Sequence, residues 1–282
     1  MMDVKRYFER LGIAGDAEWR GNFLPDIEHL RLLQRAHMLN VPFENIDIYH
    51  GVPVEYSLES FYRKIVGRNR GGYCYELNGL FHSLLLSLGF DAILISGLVA
   101  GKKDLVTEFE HAAMVVEVDG SRWLVDVGFG DGPLTPLLLA PGRIQKDRYS
   151  ENACAGNDYR IVEDMWIDGK NHFGLERWNN KTQSFVPLYY FTLERRTISY
   201  FMMMHEYQEL VPTAYYKGSL ICSLPTSDGR VSIINNRLIQ TRNGVKKIRT
   251  IESLQDRVKL LKELFSIELS LDETSPVVDA LR

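Results

Sequence analysis

A single change in hydrophobic period, near residue 91, limits the folds open to this chain. Before it, apolar side chains recur at every third or fourth position, which is typical of amphipathic helices. After it, short β-branched and aromatic runs alternate with turn residues, which is typical of strands. The last part mixes strand-like runs with a closing helix. The pattern predicts an α+β multidomain protein with domains over residues 1–90, 91–195 and 196–282.

Capping residues indicate where the elements begin and end. Four helices are predicted in the first domain, over 3–12, 26–41, 57–67 and 74–89, because each starts near a good cap or turn and ends at glycine or before proline. Two strands are predicted in the last domain, over Gly218–Leu224 and Val231–Ile239. A closing helix follows, with the Ser253-x-x-Asp256 pattern of an N-terminal cap.

Composition excludes several classes of protein. With 45% hydrophobic and 25% charged residues over 282 positions, the chain is typical of a folded globular protein and not of a disordered or fibrous one. A net charge of -4 provides no basic field for a nucleic acid or an anionic bilayer, so we expect neither as a partner. The mixed charges at the N-terminus, and three cysteines that cannot all pair with one another, predict a cytoplasmic location.

The segment Arg70-Gly-Gly-Tyr-Cys74-Tyr-Glu-Leu-Asn78 runs from a glycine-rich turn directly into a predicted helix. Cys74 then lies at a helix N-terminus, where unpaired N–H groups and the helix dipole favour a thiolate over a thiol. The alternative is a buried cysteine that serves as a small hydrophobic residue. Cys154 and Cys222 lack these flanking features, and we expect both to be structural.

A β-hairpin offers the base and carboxylate that a nucleophilic cysteine requires. The Asp119-Gly120 pair predicts a two-residue turn. The resulting register places Glu117 opposite Arg122, a favourable charge pair. It also places Asp126 diagonal to His111 on the same face, at about 7–8 Å between backbones, so that imidazole and carboxylate should meet.

Each of these residues also has a plain structural explanation. His111 could be a hydrogen-bonded histidine at a strand end, and Asp126 could cap the turn that follows it. Together with Cys74 they form the set of nucleophile, base and orienting group that thiol catalysis uses. The hairpin alone does not show that its His111 face meets the helix of Cys74.

The remaining motifs are weaker indications of function. Gly128, Gly130 and Gly132 follow Asp126 and would let backbone N–H groups approach a ligand, but they match neither the dinucleotide nor the phosphate-loop pattern. No cysteine or histidine spacing suits zinc, so we expect no metal. His29 and His37, on the second predicted helix, are expected to be surface or capping groups.

The motifs resemble those of the arylamine N-acetyltransferases. The similar stretches are Arg70-Gly-Gly-Tyr-Cys74, Val41-Pro-Phe-Glu-Asn45, the His111 strand, Trp123-Leu-Val-Asp-Val-Gly-Phe-Gly130 and Phe191-Thr-Leu-Glu194. They span most of the chain in order, with a poorer match in the last third. The resemblance implies an N-terminal helical bundle, a central β-barrel and a C-terminal α/β lid around a Cys-His-Asp core like that of cysteine proteases.

The same resemblance implies the reaction. Acetyl-coenzyme A would be the co-substrate, with no tightly bound cofactor, and an arylamine, arylhydrazine or similar primary amine would accept the acetyl group. Cys74 would be the nucleophile, His111 its base and Asp126 the group that orients His111.

The resemblance also implies binding residues. Phe129 would line the acceptor pocket, and Gly128 and Gly130 would lie along the coenzyme's pyrophosphate. Phe43 and Tyr73 are further predicted pocket residues that would keep water from the thioester.

A coenzyme-contacting run of the Ser/Thr-Pro-x-Ser-x-Phe kind corresponds here to Val211–Lys217. Thr213 and Tyr216 fit that pattern as coenzyme contacts, whereas Ala214 lacks the hydroxyl of the pattern.

Two other functions use the same residues. A thiol hydrolase or transglutaminase-like amide transferase would share the order Cys, His, Asp and differ only in the acceptor. A non-catalytic binding protein would keep the fold without a reactive thiol.

Overall fold

The structure, a computed structural model, describes residues 2–13, 23–101, 108–148, 156–167 and 169–271. The helices are α1 (Val4–Leu11), α2 (Ile27–Asn40), α3 (Ile46–His50), α4 (Leu58–Tyr62), α5 (Cys74–Ser87), α6 (Met202–Leu210), α7 (Tyr215–Gly218) and α8 (Leu254–Phe265). The strands are β1 (Phe43–Glu44), β2 (Asp91–Val99), β3 (His111–Val118), β4 (Ser121–Val125), β5 (Leu137–Leu138), β6 (Ile144–Arg148), β7 (Gly156–Ile167), β8 (Lys170–Asn179), β9 (Ser184–Phe191), β10 (Ile221–Thr226), β11 (Gly229–Ile234), β12 (Arg237–Arg242) and β13 (Val245–Thr250).

Helix ends in the first ninety residues follow the capping signals of the sequence. The Asp3 carboxylate accepts a hydrogen bond from the N–H of Arg6 at 3.1 Å, and Gly12 ends α1 in the left-handed conformation with φ 74°. Ser57 caps α4 in the same way, through the N–H of Ser60. The third predicted helix differs in its second half, because a π-helical turn over Arg63–Gly67 follows α4.

Eight strands form one sheet in the order β5-β4-β3-β2-β9-β8-β7-β6. The two strands at its edges lie side by side, because Gln145 of β6 accepts from the N–H of Leu138 at 2.7 Å and donates to its carbonyl at 2.9 Å. The sheet therefore curls into a nearly closed barrel, as the resemblance implies.

Strand β3 is buried on both faces. Its pairing with β4 places Glu117 opposite Arg122, which is the predicted register. Ala112 and Met114 pack with α5 in one hydrophobic cluster. Ala113, on the opposite face, belongs to a second hydrophobic cluster, which contains residues of β3 and of six other barrel strands. Helix α5 therefore lies against the outside of the strand that carries His111.

The second sheet combines one strand from the N-terminal part of the chain with four strands from the C-terminal part. Its strand order is β1-β10-β11-β12-β13. Phe43 of β1 pairs with Ser223 of β10. Helix α8 packs on this sheet through Leu261 and Phe265, which share a buried cluster with Ile233.

The predicted strand Val231–Ile239 is wrong in one respect, since it is two strands of a hairpin. The turn is at Asn235-Asn236, where Asn235 adopts φ 54°. Asparagine tolerates the left-handed conformation better than most residues. The apolar residues on both sides hid this turn within a longer strand-like run.

His37 is not the surface or capping group that the sequence suggested. It is fully buried between Tyr7 and Phe81, with ring centroids 6.2 and 5.1 Å away. Burial, with a smaller effect of the nearby Arg10 charge, lowers the pKa of His37 to about 3. His29 does act at the cap, since its Nδ1 lies 2.7 Å from Asp26.

Other sequence expectations concern cysteines, metals and membranes. Cys222 is fully buried and unpaired, whereas Cys154 lies outside the described residues. Within the described ranges, histidine, cysteine and acidic side chains form no cluster of three or more that could hold a metal ion. In the same ranges, no helix has both the length and the apolar character needed to cross a bilayer.

Candidate active site

The glycine-rich turn before α5 rests on buried ionic contacts. Arg70 donates from Nε to Glu44 at 2.9 Å and from Nη2 to Asp47 at 2.9 Å. Lys64 lies 2.8 Å from Asp47 and 3.0 Å from Glu76. Breaking such a network leaves an uncompensated buried charge, which is strongly destabilising. The contacts therefore fix the turn and the first residues of α5 relative to β1 and α3.

Glu76 also caps the helix that begins at Cys74. Its carboxylate accepts from the N–H of Tyr73 at 3.2 Å, which is the acidic half of a capping box. Burial, opposed by the Lys64 charge and assisted by Glu44 and Asp47, raises the pKa of Glu76 to about 7. Cys74 is thereby held as the first residue of α5, with only 2% of its surface exposed.

His111 and Asp126 meet as the hairpin register predicts. Nε2 of His111 lies 2.7 Å from Oδ2 of Asp126, and both side chains are buried. Asp126 accepts three further hydrogen bonds, from Asn78 Nδ2 at 2.9 Å, from the N–H of Gly128 at 2.8 Å and from Tyr189 Oη at 3.0 Å. Four donors fix the carboxylate and, through it, the imidazole.

The charges of this pair stabilise each other. Burial alone would raise the pKa of Asp126, but His111, Asn78 and the N–H of Gly128 outweigh it and lower that pKa. Burial alone would lower the pKa of His111, but the charge and hydrogen bond of Asp126, then those of Cys74, raise it to about 10. His111 is therefore an imidazolium at neutral pH. Because Nε2 binds Asp126, Nδ1 is the nitrogen left for Cys74.

The loop after β4 packs directly against the start of α5. A Cβ atom added at Gly128 would lie 2.5 Å from Nδ2 of Asn78 and 2.8 Å from Cα of Cys74, closer than real Cβ atoms approach. Gly130 has φ 73°, and its Cβ would lie 3.2 Å from the Phe43 ring. Both glycines thus have a packing requirement of their own. Their predicted contact with the coenzyme stays a prediction.

Replacing Gly128 by alanine should displace the first turn of α5 from the His111 strand. We expect a loss of about 1–3 kcal/mol in unfolding free energy, as for other overpacked sites. The acetyl transfer that the resemblance implies should fall at least about tenfold, since small misplacements of reacting groups are costly. Gly218→Ala is the matched control, because no atom lies within 4 Å of its added Cβ. Urea unfolding and initial rates measure both, and equal behaviour of the two variants would contradict the packing role.

Aromatic rings pack against His111 and against Tyr73, the residue directly before Cys74. The Phe129 ring lies 5.2 Å from that of His111. The Tyr216 ring lies 6.0 Å from Phe43 and 6.0 Å from Tyr73. Phe43, Tyr73 and Tyr216 thus form one aromatic wall. Thr213, by contrast, is exposed before α7 and outside this wall, and its predicted coenzyme contact stays a prediction.

The whole chain can be compared with known proteins. A family profile described as N-acetyltransferase matches residues 26–274. The arylamine N-acetyltransferase of Mycolicibacterium smegmatis is 32% identical over 276 residues, covering 95% of this chain and 93% of that protein. The chain belongs to the arylamine N-acetyltransferase family.

Solved arylamine N-acetyltransferase structures share the fold over nearly the whole length. The enzyme from Mycobacterium abscessus superposes with a TM-score of 0.84 at 26% identity, covering 97% of this chain and 92% of that one. The enzyme from Mycobacterium marinum in complex with CoA gives a TM-score of 0.82 at 26% identity, covering 96% and 97%.

Sequence reasoning missed two residues of this arylamine N-acetyltransferase site. Asn78 donates to Asp126 and accepts from the N–H of Val127 at 2.9 Å. Its spacing of four from Cys74 on one helix was an available signal, because such residues share a face. Tyr189 gave no signal, since its contact with Asp126 depends on how β9 pairs with β2 inside the barrel.

Proposed function

We propose that this chain transfers an acetyl group from acetyl-coenzyme A, through a Cys74 thioester, to an arylamine, arylhydrazine or similar primary amine. The observation that carries the proposal is the buried His111–Asp126 pair beside Cys74 at the N-terminus of α5. Membership of the arylamine N-acetyltransferase family and the CoA complex of the Mycobacterium marinum relative support the donor.

The first stage acetylates Cys74. The thiolate, paired with the His111 imidazolium, attacks the thioester carbonyl to form a tetrahedral intermediate. The intermediate collapses by breaking the bond to the coenzyme sulfur, which takes the proton from His111 and leaves as the free thiol. Cys74 then carries the acetyl group, and His111 is neutral.

The second stage transfers the acetyl group to the amine. The nitrogen attacks the carbonyl carbon of acetyl-Cys74, and neutral His111 accepts the proton that the nitrogen loses. Acetylation favours this role because it removes the Cys74 charge, which is one of the causes of the raised pKa of His111. Cys74 leaves as a thiolate, and the resting ion pair is restored.

Other residues position the groups that react. Asp126 holds the Nε2 side of His111, so that Nδ1 faces the sulfur. Phe43, Tyr73 and Phe129 line the acceptor pocket in this proposal and exclude water from acetyl-Cys74. Gly128, Gly130, Thr213 and Tyr216 contact the coenzyme during the first stage.

The organisation and location that this function requires are part of the proposal. Domains over 1–90, 91–195 and 196–282 would supply Cys74, the His111–Asp126 pair and the aromatic residue Tyr216, respectively. A cytoplasmic location suits the reaction, because a catalytic thiolate needs a reducing compartment. Cys74 is unpaired, in keeping with such a compartment.

The proposed function is tested by mixing the protein with acetyl-coenzyme A in the absence of amine. We expect a mass gain of one acetyl group on Cys74 and release of one equivalent of coenzyme A. Adding aniline should remove the acetyl group from Cys74 and yield acetylated aniline. Absence of the adduct and of coenzyme release would reject the transferase. Continued release without amine, at the rate seen with it, would indicate a thiol hydrolase instead.

Alkylation of Cys74 is a second experiment, which tests the non-catalytic alternative. A binding protein without a reactive thiol would react with iodoacetamide at Cys74 no faster than an ordinary thiol at pH 7, because little thiolate would be present. Under the proposed function, Cys74 is paired with the His111 imidazolium, so alkylation at pH 7 should be much faster than that of a free cysteine.

A further inference from the structure

Four tyrosine hydroxyl groups lie around Cys74, on different elements of the chain. They belong to Tyr56, Tyr73, Tyr75 and Tyr216. Burial raises the pKa of each, and the charge of Cys74 raises it further in all four. The four phenols therefore stay protonated at neutral pH and lie within electrostatic reach of the sulfur.

Two of these hydroxyl groups donate hydrogen bonds to backbone carbonyls. Tyr56 Oη donates to the carbonyl of Ile198 at 2.9 Å. Tyr75 Oη donates to the carbonyl of Phe109 at 2.8 Å. A hydroxyl has a single hydrogen to donate, so neither group can donate to a bound substrate without breaking a native bond.

The hydroxyl hydrogen of Tyr73 also takes part in a native hydrogen bond. Tyr73 Oη is hydrogen-bonded to Nδ1 of His205. Burial lowers the pKa of His205, which is therefore neutral and carries one ring hydrogen. Nε2 of His205 lies 3.2 Å from the carbonyl of Val54, which can only accept. The ring hydrogen is thus on Nε2, and Nδ1 accepts the hydrogen of Tyr73.

Tyr216 differs, because its hydroxyl has no hydrogen-bond partner in the described part of the chain. The residue itself is firmly placed. Its carbonyl accepts from Asn45 Nδ2 at 2.8 Å, and its N–H donates to Gln208 Oε1 at 3.3 Å. Its ring packs on Phe43 and on Tyr73, the residue directly before the nucleophile. A donor held in this way has its hydrogen available for a ligand.

The chemistry around Tyr216 restricts that ligand. Glu110, which is 7% exposed, adds its negative charge to the surroundings of Tyr216 and of Tyr75. Because the Tyr216 phenol stays protonated, a neutral oxygen or nitrogen of a ligand could accept its hydrogen bond. Because the Tyr216 ring packs on Tyr73, the residue directly before the nucleophile, a ligand group that binds the hydroxyl would lie close to the reacting amine.

We propose that the Tyr216 hydroxyl determines acceptor specificity by donating a hydrogen bond to a neutral oxygen or nitrogen beside the acceptor's amine. The inference rests on the proposed function. It adds a role to a position where the family pattern described above has phenylalanine, which lacks a hydroxyl. The coenzyme contact proposed for Tyr216 does not conflict with it, because the coenzyme leaves before the amine reacts.

A pair of nearly isosteric amines tests this role. In 2-methoxyaniline and 2-ethylaniline, an ether oxygen replaces a methylene group beside the same amine. When the two compete for acetyl-Cys74, the wild-type protein should prefer the ether by about three- to tenfold in kcat/KM, the range of one neutral hydrogen bond. Because both react with the same acetyl-enzyme, changes in the donor stage cancel in this ratio.

Tyr216→Phe should reduce the preference to less than about twofold. Tyr215→Phe is the matched control, because the neighbouring Tyr215 side chain is 57% exposed and loses the same hydroxyl. It should retain the wild-type ratio. An absent preference in the wild-type protein, a ratio unchanged in Tyr216→Phe, or an equal reduction in Tyr215→Phe would each overturn the proposal.

A binding measurement keeps this test separate from the proposed function. Dissociation constants of the two amines for the Cys74→Ala protein, measured by calorimetry, should differ in the same direction and lose that difference when Tyr216→Phe is added. If the wild-type protein forms no acetyl-Cys74, the proposed function fails while this measurement still decides the role of Tyr216. Equal affinities of the two amines for the Cys74→Ala protein would count against the hydrogen bond.

Discussion

Replacing Cys74 by serine should abolish the acetyl-enzyme and lower the rate of acetyl transfer by at least about 10³-fold. The change replaces one buried sulfur atom with an oxygen atom, so the fold should be retained. A serine hydroxyl releases its proton far less readily than a thiol, and no anion would then form beside the His111 imidazolium. The residual rate would come from substrate binding alone.

Intact-mass analysis and the rate of coenzyme A release measure this loss. Cys222→Ser is the matched control, because Cys222 is also buried and unpaired but pairs with Glu44 in the sheet of β1 and β10, away from His111. That variant should still become acetylated on Cys74. Full turnover by Cys74→Ser would end the claim that this sulfur carries the acetyl group.

Asp126→Asn should lower acetyl transfer by about 10³–10⁴-fold while keeping the shape of the site, by analogy with triads in which the carboxylate was replaced by an amide. The new amide can still accept from Asn78 and Gly128 through its oxygen. Its NH₂ group then faces Nε2 of His111, which must become an acceptor. The ring hydrogen moves to Nδ1, so the nitrogen that faces Cys74 can no longer take a proton.

This variant also changes the charge of His111 at neutral pH. In the wild-type protein Asp126 outweighs burial and raises the pKa of His111 to about 10, so the imidazolium is present throughout the neutral range. Without that charge, burial dominates and lowers the pKa of His111. Alkylation of Cys74 by iodoacetamide at pH 7 should therefore slow, because the imidazolium beside the sulfur is lost.

Tyr189→Phe is the control for Asp126→Asn, since it removes one donor to the carboxylate and keeps the charge. We expect a loss of no more than about tenfold there, the size of one hydrogen bond. If Asp126→Asn kept wild-type turnover and the wild-type alkylation profile, Asp126 would not be the group that orients His111.

How much the sequence could predict depended on whether contacts were local. The turn at Asp119-Gly120 set the register of β3 and β4, and the register alone brought His111 to Asp126. The cap at Asp3 was equally local. In each case a few neighbouring residues determine the geometry, because a tight turn or a helix end allows only a small set of conformations.

Contacts between elements that are distant in the sequence could not be predicted. The ion pairs of Lys64 and Arg70 with Glu44, Asp47 and Glu76 form only after three helical segments and β1 have packed together. Periodicity describes the face of an element and not its partner, so the charged network gave no sequence signal. His37 was misplaced for the same reason, because a polar residue on an apolar stripe has no distinguishing pattern.

Strand β1 has a consequence for how the protein can be assembled. Phe43 and Glu44 supply the first edge of a sheet whose other four strands come from the last third of the chain, roughly 180 residues away. A fragment that contained only that last third would present the bare edge of β10 to solvent. Such a fragment would be prone to recruit foreign strands. The C-terminal portion is thus no autonomous module, and its native sheet is completed only when the N-terminal portion is already in place.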